Sequence, residues 1–270
     1  MGTAPARAAR GGGPAARRPR PRPPLGRPPD GARVSHVEQV IVVVPAHDEQ
    51  ERIGGLIASI QASVVSLGRT APGLPVRVLV AADGCTDATV TRAHTAGAEV
   101  LELERCGVGA ARSAGIARLL DSVSAPAERV WIANTDADTV VPSEWLAAHI
   151  EHARHWDALL GTVRPDAADL SPEAYARWRD VRAREEAVGS IHGANLGVRA
   201  SAYLAVGGFG AELVHEDVLL VERLRASGAR VGATDRGEVV TSGRRDNRVE
   251  GGYGGYLHAR FSAETTSSSV

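Results

Sequence analysis

The feature that most constrains this chain is a regular alternation of short apolar runs and segments with helical spacing. The first run, residues 40–45, is continuous and rich in β-branched side chains, which is typical of a strand buried on both faces. Apolar residues from Ile53 to Leu67 then recur at helical spacing. Because repeated strand–helix units form parallel sheets with right-handed crossovers, the pattern predicts an α/β fold. Further strands are predicted at 76–82, 100–103 and 130–134, with helices at 86–96 and 108–120.

The second half of the chain is less regular, and it shows neither an internal repeat nor a second domain boundary. With 270 residues, 43% of them hydrophobic, the chain can bury one full core. We therefore predict a single domain at 36–258, built on a mixed, mostly parallel sheet flanked by helices. A disordered Arg/Pro-rich leader is expected at 1–35 and a flexible tail at 259–270. In the second half, helices are expected near Pro142 and at 172–186, and strands at 158–163 and 195–199.

The charge and composition of the chain limit the kinds of partner that it can bind. Residues 1–29 carry seven arginines and no acid, so a formal net charge of -1 leaves the remaining chain acidic. An acidic body is poorly suited to a phosphate backbone, and we expect no nucleic-acid partner. No apolar run approaches the roughly 20 residues that span a bilayer. The basic leader is still compatible with peripheral contact with an anionic membrane surface. Two cysteines without metal-like spacing suit a reducing compartment, so we expect a cytoplasmic protein.

Polar residues follow three of the predicted strands at their carboxyl ends. The first strand leads into residues 47–49, the second into 83–87 and the fourth into 134–138. In open α/β sheets, ligands bind beyond the carboxyl ends of the strands. The pattern therefore predicts a ligand site, rich in carboxylates, at one edge of the sheet.

Asp136 and Asp138 form a D-x-D pair directly after a buried strand. Hard divalent cations such as Mg²⁺ or Mn²⁺ take one or two carboxylates and complete their shell with phosphate oxygens and water. The pair therefore predicts a site for Mg²⁺ or Mn²⁺ that would hold a nucleoside diphosphate. A solvated acidic turn is the alternative, because D-x-D by itself is a common tripeptide.

Seven short motifs occur in order along most of the chain. They are V-P-A-H-D-E at 44–49, D-G-C-T-D at 83–87, G-A-A-R-S-A-G at 109–115, D-A-D at 136–138, G-A-N at 193–195, G-G-F at 207–209 and E-D at 216–217. Together they resemble glycosyltransferase family 2, whose members have the GT-A fold with a Rossmann-like sheet. The resemblance implies an inverting, metal-assisted glycosyltransferase that moves a sugar from a nucleoside-diphosphate donor to a hydroxyl acceptor.

The resemblance also implies roles for individual residues. The loops after the first two strands would hold the nucleoside, the D-x-D pair the metal, and Asp217 would be the general base. Arg112 lies near the start of a helix whose amides can face phosphate, and residues 244–245 resemble the basic segment that closes over the diphosphate. The donor-binding candidates are Pro45, His47, Glu49, Asp83, Arg112, Asp136, Asn195, Glu216, Arg244 and Arg245, and the metal candidates are Asp136, Asp138 and His258.

Other interpretations of the same residues stay open. Acids at 216–217 also suit the first turn of a helix predicted at 218–224, where they would act as caps. A retaining GT-A transferase, a sugar-phosphate nucleotidyltransferase or a non-catalytic nucleotide-sugar-binding protein would use the same kind of sheet. The run D-A-D-T-V at 136–140 matches the nucleophile strand of haloacid-dehalogenase-like phosphatases, but three strands precede it and the chain has no lysine to hold a phosphoryl group. The missing Gln/Arg-x-x-Arg-Trp motif of processive synthases favours transfer of a single sugar.

Overall fold

The first apolar run forms strand β1 (Gln39–Ala46) inside the sheet, with every residue from Val40 to Ala46 buried. Its side chains alternate between two faces, so that Val42 packs in one hydrophobic cluster and Val43 in the other. Helices cover both faces, and this explains why the run contains no polar residue.

The structure is a computed structural model that describes residues 36–184, 188–210, 215–244 and 253–261. The strands after β1 are β2 (Val76–Asp83), β3 (Glu99–Leu103), β4 (Val130–Asn134), β5 (Thr139–Val140), β6 (Ala158–Pro165), β7 (Leu196–Arg199) and β8 (Val231–Thr241). The helices are α1 (Ile53–Thr70), α2 (Thr89–Thr95), α3 (Val108–Leu120), α4 (Trp145–Ala153), α5 (Pro172–Arg184), α6 (Ala200–Ala205), α7 (Glu216–Ala226) and α8 (Tyr253–Phe261).

The eight strands form one sheet in the order β3-β2-β1-β4-β7-β6-β8-β5. Strands β3, β2, β1 and β4 are parallel neighbours, as the repeated strand–helix pattern predicts. Strand β7 runs antiparallel to both β4 and β6, and β8 then pairs parallel with β6. The prediction of a mixed, mostly parallel α/β sheet is confirmed.

Helices pack on both faces of the sheet and give the domain three layers. Helices α1 and α4 cover one face, where Ile57 and Trp145 are buried. Helices α3, α6 and α7 cover the other, with Ile116, Tyr203 and Leu220 in its cluster. Helix α8 packs on α5 in a smaller separate cluster. None of the described helices has the length and hydropathy needed to cross a membrane.

Some element ends differ from the predicted ones for identifiable reasons. The helix predicted from residue 86 starts only at Thr89, because the Asp87 carboxylate accepts hydrogen bonds from the amides of Gln50 (3.1 Å) and Thr89 (2.9 Å) and fixes a loop. Helix α8 continues to Phe261, which is only 2% exposed, so the folded domain passes the boundary predicted at residue 258. The predicted leader at 1–35 and residues 262–270 of the predicted tail lie outside the described residues.

Asn195, which is 1% exposed, links four parts of the chain beneath the sheet edge. Its Oδ1 accepts hydrogen bonds from Trp145 Nε1 at 2.9 Å and from His149 Nε2 at 3.2 Å. Its Nδ2 donates to the carbonyls of Thr162 at 2.9 Å and Gly237 at 3.0 Å. The side-chain amide therefore provides hydrogen-bond partners for two buried ring N–H groups and two buried backbone carbonyls.

The proton position on His149 follows from this network. Trp131 Nε1 can only donate, and it lies 3.1 Å from His149 Nδ1, so the ring proton is on Nε2 and points at Asn195. Burial lowers the pKa of His149 to about 4. The imidazole is therefore neutral at physiological pH and connects Trp131 to Asn195 through one hydrogen bond to each.

We predict that Asn195→Ala destabilises the fold by about 3 kcal/mol, because it leaves several buried polar groups without partners. The measurement is the free energy of unfolding in urea. Gln61→Ala is the matched control, since the exposed Gln61 side chain donates a single hydrogen bond, 2.7 Å long, to the Ala96 carbonyl. A loss no larger for Asn195→Ala than for the control would show that the network does not stabilise the fold.

Candidate active site

The predicted polar loops meet at one edge of the sheet. Strands β1, β2 and β4 are parallel neighbours, so residues 47–49, Asp83 and the D-x-D pair all follow carboxyl ends that lie side by side. Strand β7 brings a fourth segment to this edge, because its first residue, Leu196, pairs with Asn134 immediately before the D-x-D loop. Strand β8 brings a fifth, since Thr241 pairs with Thr139.

Arg112 on α3 lies at the centre of this edge and is only 2% exposed. Its Nη2 bonds Asp136 Oδ1 and its Nη1 bonds Glu216 Oε1, so one guanidinium joins the D-x-D loop to the start of α7. Gly193 lies against it, and a Cβ at that position would displace the Arg112 guanidinium from its two ion pairs. Although burial opposes the charge, the carboxylates of Asp136, Glu216 and Asp217 raise the pKa of Arg112.

Asp217 lies in the first turn of α7, half-buried beside this ion-pair group. Its Oδ2 accepts a hydrogen bond from the Gly193 amide at 2.7 Å, and its Oδ1 accepts one from the Val218 amide at 2.8 Å. The two backbone donors fix the orientation of the carboxylate. The residue before the helix, His215, has a positive φ of 61°, a costly conformation for a non-glycine residue that is common at functional sites.

Asp138 lies among several acidic side chains, on the side of Asp136 away from Arg112. Burial, together with the charges of Asp136 and Glu49, raises the pKa of Asp138 to about 6 against the opposing charge of Arg244. Arg244 Nη2 lies 3.4 Å from Asp138 Oδ2, while Arg244 also pairs with both oxygens of Glu49, one of them at 2.9 Å. Several carboxylates therefore share one guanidinium, and the group has the oxygen donors and the surplus negative charge that suit a hard divalent cation.

The segment that follows β8 is held against this acidic group by Asp169. The Asp169 carboxylate accepts hydrogen bonds from Ser242 Oγ at 2.8 Å, from the Gly243 amide at 3.0 Å and from Arg52 Nη2 at 3.0 Å. No motif in the sequence singles out Arg52 or Asp169. The rule that ligands bind beyond strand carboxyl ends would have indicated Asp169, because it follows β6 and β6 is parallel to β8.

Asp83, which is 2% exposed, holds the loop before α3 in place. Its carboxylate accepts hydrogen bonds from the amides of Cys106 at 2.6 Å and Gly107 at 3.1 Å and pairs with Arg105 at 2.6 Å. The Asp83 carbonyl bonds His47 Nδ1 at 2.7 Å, which connects the loops after β1 and β2. Two predicted nucleoside contacts, His47 and Asp83, therefore lie together.

The remaining predicted residues are placed as follows. Pro45 is buried at the end of β1 opposite Ala81 of β2, and the side chain of Asn195 is fully engaged in the network beneath the edge. Arg245 lies outside the described residues. His258 is part of α8, but its side chain is outside the described set, so its predicted metal contact stays a prediction.

The three-layer fold and the carboxylates at one edge of the sheet define the GT-A class. The family model of Glycosyl transferase family 2 matches residues 41–196, which is more than half of the chain. The chain therefore belongs to glycosyl transferase family 2, as the resemblance of its motifs predicts. No curated protein sequence gives a significant match.

Solved structures share this fold. The mannosyltransferase PcManGT from Pyrobaculum calidifontis in complex with GDP-Man and Mn²⁺ is similar with a TM-score of 0.58 and 16% identity, over 83% of this chain and 62% of that one. S. aureus TarS 1–349 gives a TM-score of 0.54 and 17% identity, over 76% and 60%. The same TarS fragment with UDP-GlcNAc gives 0.55 and 15%, over 76% and 58%. The chain thus spans less than two thirds of the length of these proteins.

The raised pKa of Asp138 predicts a pH dependence of stability. The folded state holds the Asp138 proton up to about pH 6 and the unfolded chain only to about pH 4, so this carboxyl makes stability fall as the pH rises through that window. Asp138→Asn removes the titrating group, and its melting temperature should rise relative to the natural protein between about pH 4 and pH 7. Asp235→Asn, at an exposed position, is the control. A difference between Asp138→Asn and the natural protein that does not change with pH would contradict the assignment.

Proposed function

We propose that this chain transfers a single sugar from a nucleoside-diphosphate sugar to a hydroxyl acceptor with inversion, assisted by Mg²⁺ or Mn²⁺. The observation that carries the proposal is the double ion pair of Arg112, because it joins the D-x-D loop and the E-D pair of α7 through the two terminal nitrogens of one guanidinium. A transfer of this kind needs a group for the leaving diphosphate and a base for the acceptor at neighbouring positions.

On the donor side, Asp138 with help from Asp136 would hold the cation. Asp136 is 34% and Asp138 19% exposed, so both carboxylates can be reached from solvent. A cation bound there would neutralise charge on the diphosphate as it leaves. The complex of PcManGT with GDP-Man and Mn²⁺ supports this choice of donor class and metal. His47, Glu49 and Asp83 lie on the same side, where the nucleoside would bind.

Arg244 would steady the diphosphate from the segment after β8. Its guanidinium already lies within reach of Asp138 and Glu49, and its side chain is 25% exposed. Both terminal nitrogens of Arg112 bond carboxylates instead, so its contribution to the donor acts through the position of Asp136. Its predicted direct contact with phosphate stays a prediction, as does that of Arg245.

On the acceptor side, Asp217 would remove the proton from the attacking hydroxyl. The Gly193 and Val218 amides hold its two oxygens in a fixed direction without neutralising the charge, which is the preorganisation that a general base requires. Helix α8 closes this side, because Tyr253 contacts His192 edge to face at a centroid distance of 5.6 Å, next to Gly193. The acceptor would therefore approach between α7 and α8.

We predict that Asp217→Asn lowers turnover at least about a hundredfold and leaves donor binding unchanged, because it removes the base and keeps an oxygen for one of the two backbone amides that hold the side chain. Turnover is measured as nucleotide release with a panel of UDP, GDP and dTDP sugars, and donor binding by calorimetry. Glu222→Gln, further along α7, is the matched control. Loss of donor binding in Asp217→Asn would assign Asp217 a structural role. A product with retained anomeric configuration would overturn the inverting mechanism.

A second prediction concerns the cation. Asp138→Ala should abolish the dependence of turnover on added Mn²⁺ and weaken Mn²⁺ binding by calorimetry, because it removes the proposed principal ligand. Asp235→Ala, on the exposed part of β8, should leave both unchanged. Metal-dependent turnover that persists at the natural level in Asp138→Ala would show that the cation binds elsewhere.

A further inference from the structure

Three side chains of different ligand chemistry lie together where β1 and β2 end. One ring nitrogen of His47, one carboxylate oxygen of Asp48 and the thiol of Cys85 are all within 4.8 Å of one another, and each residue is half-buried. They come from two loops that are far apart in sequence and are tied together by the hydrogen bond between His47 and the Asp83 carbonyl. None of the three belongs to the D-x-D pair or to the E-D pair.

The hydrogen bond of His47 determines which of its nitrogens can bind a metal. Nδ1 lies 2.7 Å from the Asp83 carbonyl, and a carbonyl can only accept, so Nδ1 carries the proton. The lone pair is therefore on Nε2, which lies 3.8 Å from Asp48 Oδ2. A histidine that donates one N–H to a backbone carbonyl and presents the other nitrogen is the usual arrangement at protein metal sites.

Asp48 is held in place by its own backbone and by the opposite loop. Its φ of 50° is in the left-handed region, and its Oδ1 accepts hydrogen bonds from the amides of Thr86 at 2.7 Å and Asp87 at 3.2 Å. These backbone bonds lower the pKa of Asp48, so the carboxylate is charged. The loop thus presents an ionised oxygen ligand next to Nε2 of His47.

Cys85 adds a sulfur ligand to the group. Its Sγ lies 3.3 Å from the Ala46 carbonyl, which places the thiol against the end of β1. Burial raises the pKa of the Cys85 thiol, and the nearby charges of Asp48 and Asp87 oppose its ionisation as well. A cation among these groups would offset that repulsion and favour the thiolate.

We propose that His47, Asp48 and Cys85 form a site for one borderline-soft divalent cation of the Zn²⁺ type. One nitrogen, one oxygen and one sulfur ligand are the set that zinc accepts, with water in the open position. Zinc bonds of about 2.0 to 2.3 Å put neighbouring ligand atoms about 3.3 to 3.8 Å apart. The 3.8 Å between His47 Nε2 and Asp48 Oδ2 would shorten by about 0.5 Å on binding, and the thiol, which lies within 4.8 Å of both atoms, would approach by up to about 1 Å. Binding breaks the S–H bond, forms a sulfur–metal bond and releases one proton to solvent.

This site differs in chemistry from the acidic group around Asp138. The proposed zinc site includes nitrogen and sulfur, whereas the ligand candidates with described side chains on the D-x-D side, Asp136 and Asp138, offer carboxylate oxygens, so the two should prefer different metals. The proposal does not depend on sugar transfer. If the proposed function also holds, His47 serves the nucleoside too, and Zn²⁺ and the donor nucleotide would then compete for this end of the site.

The test uses Co²⁺ as a spectroscopic substitute for Zn²⁺, with the full chain in buffer containing Mg²⁺ to occupy oxygen-only sites. We expect one equivalent of Co²⁺ to produce a near-ultraviolet thiolate-to-cobalt absorption band, and Zn²⁺ to abolish it. Cys85→Ser should lose the band. Cys106→Ser is the matched control and should keep it, because Cys106 is exposed and outside the group.

Two further variants separate this site from the fold and from the proposed donor metal. His47→Ala should weaken Co²⁺ binding at least about tenfold, as removal of a ligand does, and circular dichroism checks that each variant is folded. Asp138→Ala should keep the band, even though it loses Mn²⁺-dependent turnover. The proposal is overturned by the absence of a band in the natural protein, by its persistence in Cys85→Ser, or by its loss in Cys106→Ser.

Discussion

The double ion pair of Arg112 is the interaction on which the arrangement of this site depends. Asp136 and Glu216 come from distant parts of the chain, and their carboxylates could not lie close together without a shared cation. Arg112 is itself buried, and a buried guanidinium is stable only with such partners; removing one partner of a buried pair costs about 3 to 5 kcal/mol. Gly193 leaves the space for the guanidinium and uses its amide to orient Asp217. Arg112 therefore connects the buried part of the fold, the proposed metal-binding loop and the helix that carries the proposed base.

Arginines balance the negative charge on the rest of the edge. Arg244 pairs with Glu49 and approaches Asp138, while Arg52 pairs with Asp169. These contacts bring the end of β8 back onto loops from the first half of the chain. The charge is still incompletely balanced at Asp138, whose pKa is raised to about 6 by burial and by its acidic neighbours. The local surplus of carboxylates is a physical reason for this edge to bind a cation.

The sequence predicted the strands of the first half well, because a buried parallel strand needs a continuous apolar run and residues 40–45 and 130–134 have one. It also indicated Asp83, Asp136 and Asp138 as residues of one edge, and the family resemblance added Glu216 as a donor-binding candidate. It could not show that Arg112 bonds carboxylates, because the acids it meets lie far along the chain. The family resemblance predicts Asn195 as a donor contact, and only the structure shows its amide bonded to Trp145 and His149. The two-residue strand β5 has no periodicity of its own and forms by pairing with β8.

What the sequence determined by itself was the order of strands and helices in the first half of the chain and the acids that follow the strand ends there, since apolar periodicity and loop composition are local properties. Three-dimensional folding decided which charges meet. Strand β7 turns antiparallel and places Gly193 and Asn195 beside the D-x-D loop, and β8 returns Arg244 to Glu49. Ion pairing and burial depend on distances of a few ångströms between residues remote in sequence, and the packing of the helices on the sheet sets those distances.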